Sequence, residues 1–280
     1  MDTTASEDHP LQLDMDAVRS LLTDFLRDST SNVGFTKAVI GLSGGVDSAV
    51  AAYLAAEALG PKNVLAVKMP YATSSRASIT DADAVIAALG VRSLTVEITP
   101  MVEPLFAAQS VTDPLRRGNI MARQRMIVLY DQSQKERALV IGTSNKTESL
   151  LGYGTLHGDM ACALNPLGDL YKTHVWMLAE TLGVPRSVIT KKPSADLWEG
   201  QTDEGELGFT YRDADRLLFH MIDERRTDDE LTALGFAAPF IAAVRTKVRT
   251  NQFKRRPPLI AKVSHRTVNV DFRYVRDWGV

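Results

Sequence analysis

The sequence predicts an α/β fold, a doubly wound parallel sheet with flanking helices and a small helical C-terminal part. Short apolar runs at 37–42, 64–67, 93–98 and 138–141 alternate with helical patterns at close spacing, the pattern of a parallel sheet covered on both faces. The first and fourth runs end directly in small polar turns, Ser43-Gly44-Gly45 and Gly142-Thr143-Ser144. A length of 280 residues suits one large domain or two small ones. We expect a single domain over 1–280, with a core over about 15–260 and a tail over 261–280.

Residues 14–28 put Val18, Leu21, Leu22, Phe25 and Leu26 on one stripe, a helical spacing. The strand at 37–42 runs into the glycine turn, and an Ala-rich helix at 46–59 ends at Gly60-Pro61. After the second strand, 77–89 reads as a helix stopped by Gly90. After the third, 115–134 has few breakers beyond Gly118 and suits a long helix. Beyond residue 150 the pattern changes: 152–168 is loop-like, 172–182 is helical, and helices return over about 213–250. Between these, 191–209 carries Pro, Gly and acidic residues with little periodicity, and a loop that long is usually functional or mobile. It is expected to be disordered without ligand and protected with it.

Composition excludes several classes. Hydrophobic residues at 45% and charged residues at 24% are the balance of a globular chain, not of a disordered, collagen-like or coiled-coil one. Lys+Arg 32 against Asp+Glu 34 leaves a net charge of -2, which argues against a protein that coats nucleic acid. The single cysteine, Cys162, can form neither an internal disulfide nor a CxxC pair, which fits a reducing compartment. The five histidines show no metal-ligand spacing. The N-terminus is polar and acidic, unlike a signal peptide, and no apolar run approaches the roughly 18 residues of a membrane helix. The expectation is a cytoplasmic enzyme or binder with neither nucleic acid nor membrane as partner.

The chemistry concentrates in Ser43-Gly44-Gly45-Val46-Asp47-Ser48, between a strand and a helix. Adjacent glycines let the backbone approach a ligand and turn N–H groups toward an anion, and the following helix adds its positive dipole end. No Gly-Lys-Ser/Thr follows, so this is not a Walker A loop, and it is not GxGxxG. Asp47 would repel a bare phosphate unless a divalent cation lies between them. The plainer alternative is a strand-to-helix turn with a capping Ser and Asp.

The SGGVDS string resembles the pyrophosphate-binding loop of the N-type ATP pyrophosphatases, which cleave ATP between the α and β phosphates. Five further strings resemble one member of that superfamily, the ammonia-dependent NAD synthetases. They are 142–148 (GTSNKTE), 152–159 (GYGTLHGD), 168–173 (GDLYKT), 192–197 (KPSADL) with 201–204 (QTDE), and 254–258 (KRRPP). Their order is consistent from about 15 to 260. The fold this implies is adenine nucleotide alpha hydrolase-like.

The resemblance implies ATP-dependent amidation of deamido-NAD, the nicotinic acid dinucleotide, to NAD. ATP turns the carboxylate into an acyl-adenylate with release of pyrophosphate, and ammonia then displaces AMP. Positioning and charge neutralisation supply most of the catalysis, with no side-chain nucleophile. By the same resemblance Gly41, Leu42, Ser43, Gly44, Gly45, Val46, Asp47 and Ser48 would hold the ATP phosphates. Asp47 and Glu148 would bind Mg²⁺, although Glu148 could also be an exposed acid favoured by a helix dipole. Thr143, Lys172 and Ser194 match positions that contact ATP, which makes Asp47, Glu148 and Lys172 the catalytic set.

Arg123, Asp159 and Lys254 match positions that contact deamido-NAD. Asp159 could equally stabilise its turn, and Lys254-Arg255-Arg256 could be a solvated tail or a weak nucleic-acid patch. Three positions depart from the family pattern. Leu156 replaces a lysine of the shortest members, Ala163 stands near a common aspartate, and Phe253 stands where His often precedes the KRRPP string. The family works as a homodimer with the dinucleotide across the interface. The 115–134 helix, with Ile120, Met121, Ile127, Val128 and Leu129, is a candidate for that interface or for the chain's own core. Cys162 has no visible activating partner, so ammonia would be free or delivered by a separate glutaminase.

Two other readings remain at this point. One is an adenylating amidase or thiolase of the same superfamily, acting on another carboxylate or on a tRNA base. The other is a nucleotide-binding regulator without catalysis, against which the retention of both Asp47 and Glu148 argues.

Overall fold

The chain lays down strands β1 (Ala38–Gly41), β2 (Val64–Lys68) and β3 (Arg92–Thr95) in one direction, then crosses back to place β4 (Leu139–Ile141) on the far side of β1. The order is β3-β2-β1-β4 and every pairing is parallel, with Ala38 registered on both Val64 and Leu139. The direction of winding therefore reverses between β1 and β4. At such a switch point the loops leaving the carboxyl ends of the two strands diverge and leave a crevice. The computed structural model describes residues 11–194, 196, 200–268 and 270–271.

Strand residues alternate between two apolar layers, as the two-residue pleat requires. Ala38, Ile40, Val64 and Ala66 face α1 (Met15–Ser31), α2 (Val46–Leu59), α3 (Arg76–Leu89) and α7 (Lys172–Leu182). Val39, Leu65 and Val67 face α4 (Thr99–Ala108) and α5 (Pro114–Glu136). A third apolar cluster joins α6 (Lys146–Leu151), α9 (Asp203–Leu207), α10 (Tyr211–Leu218), α11 (Asp228–Ala233) and α12 (Ala238–Thr250) beside the sheet. The doubly wound sheet and the helical C-terminal part are as the sequence predicts. Among the described residues, no helix is long and apolar enough to cross a membrane.

Several sequence expectations need correction. Leu21 sits on the predicted stripe of α1 yet is 66% exposed, because the buried face runs through Leu22 and Leu26. The third strand stops at Thr95, although Val96 N and Ile98 N still donate to Lys68 O and Pro70 O. The sequence reading assigns no element to 99–108, where the chain forms α4. Pro100 falls in the first turn, where the missing N–H loses no hydrogen bond. The 191–209 segment ends in α9 and follows α8 (Arg186–Thr190), so it is not loop throughout.

Residues 195 and 197–199 of that segment, 1–10 with His9, 269 and 272–280 lie outside the described residues. On α5 the candidate interface residues mostly turn inward. Met121 and Val128 are buried, Ile120 and Leu129 pack on the same core, and only Ile127 of the five is exposed.

Candidate active site

The crevice at the switch point is a cleft of about 500 Å³, within the range of small-molecule sites. It is lined by Gly41, Leu42, Ser43, Gly45, Val46, Asp47, Ser48, Thr143, Glu148, Asp159, Lys172, Ser194 and Lys254 from the sequence-predicted set. Two members of that set are not on its wall, Gly44 and Arg123.

Gly44 lies under the loop, at φ 80°, where an added Cβ would stand 2.1 Å from Ser78 O. Only glycine fits there, and the close approach seats the loop on the start of α3. Ser48 Oγ donates to Gly45 O and accepts from Ser43 N, so this hydroxyl fixes the loop's shape. Gly45 is the N-cap of α2 and offers no side chain to the first-turn amides. Those amides and the helix dipole are left to an anion.

Asp47 in the first turn of α2 meets the loop after β4. Its carboxylate accepts from Asn145 Nδ2 at 2.9 Å and pairs with Lys172 Nζ, which also lies 3.4 Å from Glu148 Oε1. Asn145 caps α6 reciprocally with Glu148: Glu148 N donates to Asn145 Oδ1 and Asn145 N to Glu148 Oε2. Lys172 is 2% exposed. Burial pulls its pKa down, but the Asp47 and Glu148 carboxylates outweigh that and hold it above the ordinary value. Burial pushes Glu148 up, and the Asp47 charge adds to it.

Beneath this centre, Asp215 on α10 is fully buried and ties two helix starts together. It accepts from Thr147 Oγ1, Thr173 N and Thr173 Oγ1, and Thr147 Oγ1 accepts in turn from Lys172 N at 2.9 Å. Burial raises Asp215 to about 6 against the lowering effect of these donors. To one side, the Tyr153 hydroxyl donates to Asp203 and Glu206 at 3.0 Å each, and Tyr211 donates to Asp203 at 3.1 Å. This latch holds α9 to the turn after α6. Across the mouth, Lys191 pairs with Asp81, and Asp196 accepts from Ser75 N at the start of α3.

The three residues expected on the dinucleotide are occupied by backbone. Lys254 Nζ donates to Gly152 O at 2.7 Å and Gly154 O at 2.8 Å, and burial lowers its pKa. Asp159 accepts from Thr155 N at 2.7 Å, the turn-stabilising arrangement, and burial raises it. Arg123 is exposed on α5 and donates to Leu156 O at 3.3 Å. Arg255 donates to Ser149 O, Leu150 O and Val248 O, so the basic run is fastened down rather than a solvated tail. Phe253, beside it, is 59% exposed.

Sequence reading missed Asn145, Asp203 and Asp215. Asn145 carried a signal, since Asn followed three residues later by Glu is the mark of a helix start. Asp203 lies in the QTDE string, but Tyr153, its partner, is 50 residues away. Asp215 had no local signal, because its partners are 68 and 42 residues distant.

A parallel α/β sheet with an uncapped, glycine-seated helix start and paired acids at its switch point defines a nucleotide-binding enzyme fold. The chain belongs to the NAD synthase family, whose profile matches residues 18–258. It is 58% identical over 269 residues to an NH(3)-dependent NAD(+) synthetase of Trichlorobacter lovleyi, covering 96% of this chain and 98% of that one. Among solved structures, an NMN synthetase from Francisella tularensis matches with TM-score 0.80 and 34% identity, over 89% of this chain and 99% of that one. An NH3-dependent NAD synthetase from Campylobacter jejuni matches with TM-score 0.77 and 33% identity, over 90% and 100%.

Proposed function

We propose that this chain makes NAD by ATP-dependent amidation of deamido-NAD with ammonia, releasing AMP and pyrophosphate. The observation that carries the reading is the buried Lys172 held between the half-buried carboxylates of Asp47 and Glu148 beside the phosphate loop at the switch point. A carboxylate is a poor electrophile. Its oxygen attacks the α-phosphorus of ATP, the α–β bridging bond breaks, and pyrophosphate leaves. Ammonia then adds to the acyl carbon and AMP departs, with one ammonia proton passing to solvent.

Each step moves charge between oxyanions, so fixed donors and cations are what the site must supply. The first-turn amides of α2 and the Ser43–Gly45 turn take the leaving phosphates. Lys172 stays charged throughout, since two carboxylates hold its proton, and acts as an electrostatic donor to the α-phosphate rather than as a base. Thr143 and Ser194, which also line the cleft, contact the nucleotide.

Magnesium fits this donor set. Two hard carboxylates lie together with one ammonium between them. Among the described residues no group of three or more His, Cys, Asp or Glu could hold a metal, so the remaining ligands would be phosphate oxygens and water, as this ion prefers. Asp47 and Glu148 would hold it, and bound there it would neutralise phosphate charge.

The deamido-NAD half completes itself in a dimer. Arg123 is exposed on α5, and α4 and α5 also expose Met101, Leu105, Ile127 and Tyr130, apolar surface suited to a second copy. The lone thiol supports a cytoplasmic setting, and ammonia arrives free or from a separate glutaminase.

The test is formation of AMP and NAD from ATP, Mg²⁺ and deamido-NAD, with ammonium and glutamine as alternative donors. Nicotinate mononucleotide serves as the competing acceptor. NAD with ammonium alone is expected. Amidation of the mononucleotide only would move the chain to the activity named for the Francisella protein, and no ATP cleavage would end the enzymatic reading.

A further inference from the structure

We propose that Arg125 is a substrate-binding residue at the junction of the two halves of the cleft, its guanidinium fork pairing with an oxyanion of ATP or deamido-NAD. The proposal rests on the functional reading above.

Arg125 lies on the face of α5 that turns to the cleft, together with Asn119, Ala122 and Leu129. Its position along that face is fixed at both ends. Leu129, one turn on, borders the end of β1, where a Cβ on Gly41 would stand 3.4 Å from Leu129 Cδ1. Ala122, one turn back, borders the 155–159 turn, where a Cβ on Gly158 would stand 3.1 Å from Ala122 Cβ. Arg125 therefore sits between the strand end that leads into the phosphate loop and the turn assigned to the dinucleotide. The carboxylate and the α-phosphate must meet at that boundary for the adenylate to form.

Its bonding is incomplete. Nε donates to Met69 O at 3.0 Å, and among the described residues no hydrogen bond is seen from the terminal nitrogens of this cleft-lining side chain. Asp159 and Asp196 act on the guanidinium only through space, and burial lowers its pKa. Other arginines of the chain are satisfied in place. Arg92 pairs with Glu136 through two nitrogens, Arg117 binds Glu103 and Tyr71, and Arg255 caps three carbonyls. A guanidinium does not shed its proton, so a sheltered one without a paired anion is a standing cost in the free protein. A bound oxyanion removes that cost, and the planar fork suits phosphate and carboxylate oxygens bidentately.

Arg125→Lys and Arg125→Met, titrated calorimetrically with Mg²⁺-ATP and separately with deamido-NAD, test this. One of the two affinities is expected to fall roughly tenfold or more in both variants, because lysine keeps the charge but loses the fork. The ligand that weakens identifies which substrate carries the oxyanion, ATP or deamido-NAD. Ligand-free Arg125→Met should melt within a few degrees of wild type, since it loses one hydrogen bond together with a charge that no carboxylate pairs directly. Unchanged affinities for both ligands would overturn the proposal. So would a collapse of ligand-free stability in Arg125→Met that lysine fully repairs together with binding, for then the cation is structural. A wild-type chain that binds these ligands but makes no NAD sinks only the functional reading, because the binding arms need no turnover.

Discussion

The two halves of the cleft, to which we assign the phosphates and the dinucleotide, are built on different principles. On the phosphate half, charged side chains meet one another across long sequence separations: Lys172 reaches Asp47 over 125 residues and Glu148 over 24. On the dinucleotide half, charged side chains meet backbone. Lys254 and Arg123 give their donors to carbonyls of the 152–156 stretch, and Asp159 takes an amide of the same turn. The first half is organised around a charge it has yet to receive. The second is a wall whose polar groups are spent on its own shape, the exposed Arg123 included.

The contrast can be broken at its strongest point first. Lys172→Met should lower kcat/KM by about a thousandfold, the scale of removing one fixed oxyanion donor, with the loss mainly in kcat. Steady-state kinetics with saturating ammonium measures it, and a loss confined to KM would remove Lys172 from the chemistry.

Next is the support beneath it. Asp215 is fully buried at a pKa of about 6 against an ordinary 3.8, a gap that corresponds to roughly 3 kcal/mol. A raised folded-state pKa stabilises most below the unfolded value, and that contribution is lost as pH rises through about 6. Wild type should therefore lose stability relative to Asp215→Asn between pH 4 and 6. Urea unfolding of both proteins across that range would show parallel curves if Asp215 ionises freely.

The smallest effect is expected at Lys254. Lys254→Met should raise KM for deamido-NAD about tenfold by loosening the 152–154 turn, with kcat and the ATP KM near wild type. A kcat loss as large as that of Lys172→Met would mean that the two halves do not differ in kind.

How much of this was legible in the sequence follows the same division. The strands of the sheet, the glycine turn after β1 and the 142–148 string were readable because each is local: an apolar run, a breaker and a cap sit within a few residues. The wall positions of Thr143 and Ser194 were named from motif alone, and both line the cleft. Gly44 was named for phosphate, yet its positive φ serves the packing on Ser78. Of α5 the sequence could show length and apolar content but not rotation, so four of its five interface candidates face the core instead. α4 was assigned no element from the sequence, and its Pro100 occupies a first-turn position where proline does no harm.

The sequence by itself determined the parallel sheet, the glycine turn after β1 and the family, since these depend on periodicity, turn chemistry and ordered strings. Only the tertiary structure decided which charges meet. It put Asp47, Asn145, Glu148 and Lys172 on one centre over Asp215, turned Arg125 into the cleft and left Arg123 outside. The physical reason is that a strand order reversing at β1 brings the ends of β1 and β4 side by side, although about a hundred residues separate them in the chain. Where each long side chain then points is set by the packing around it.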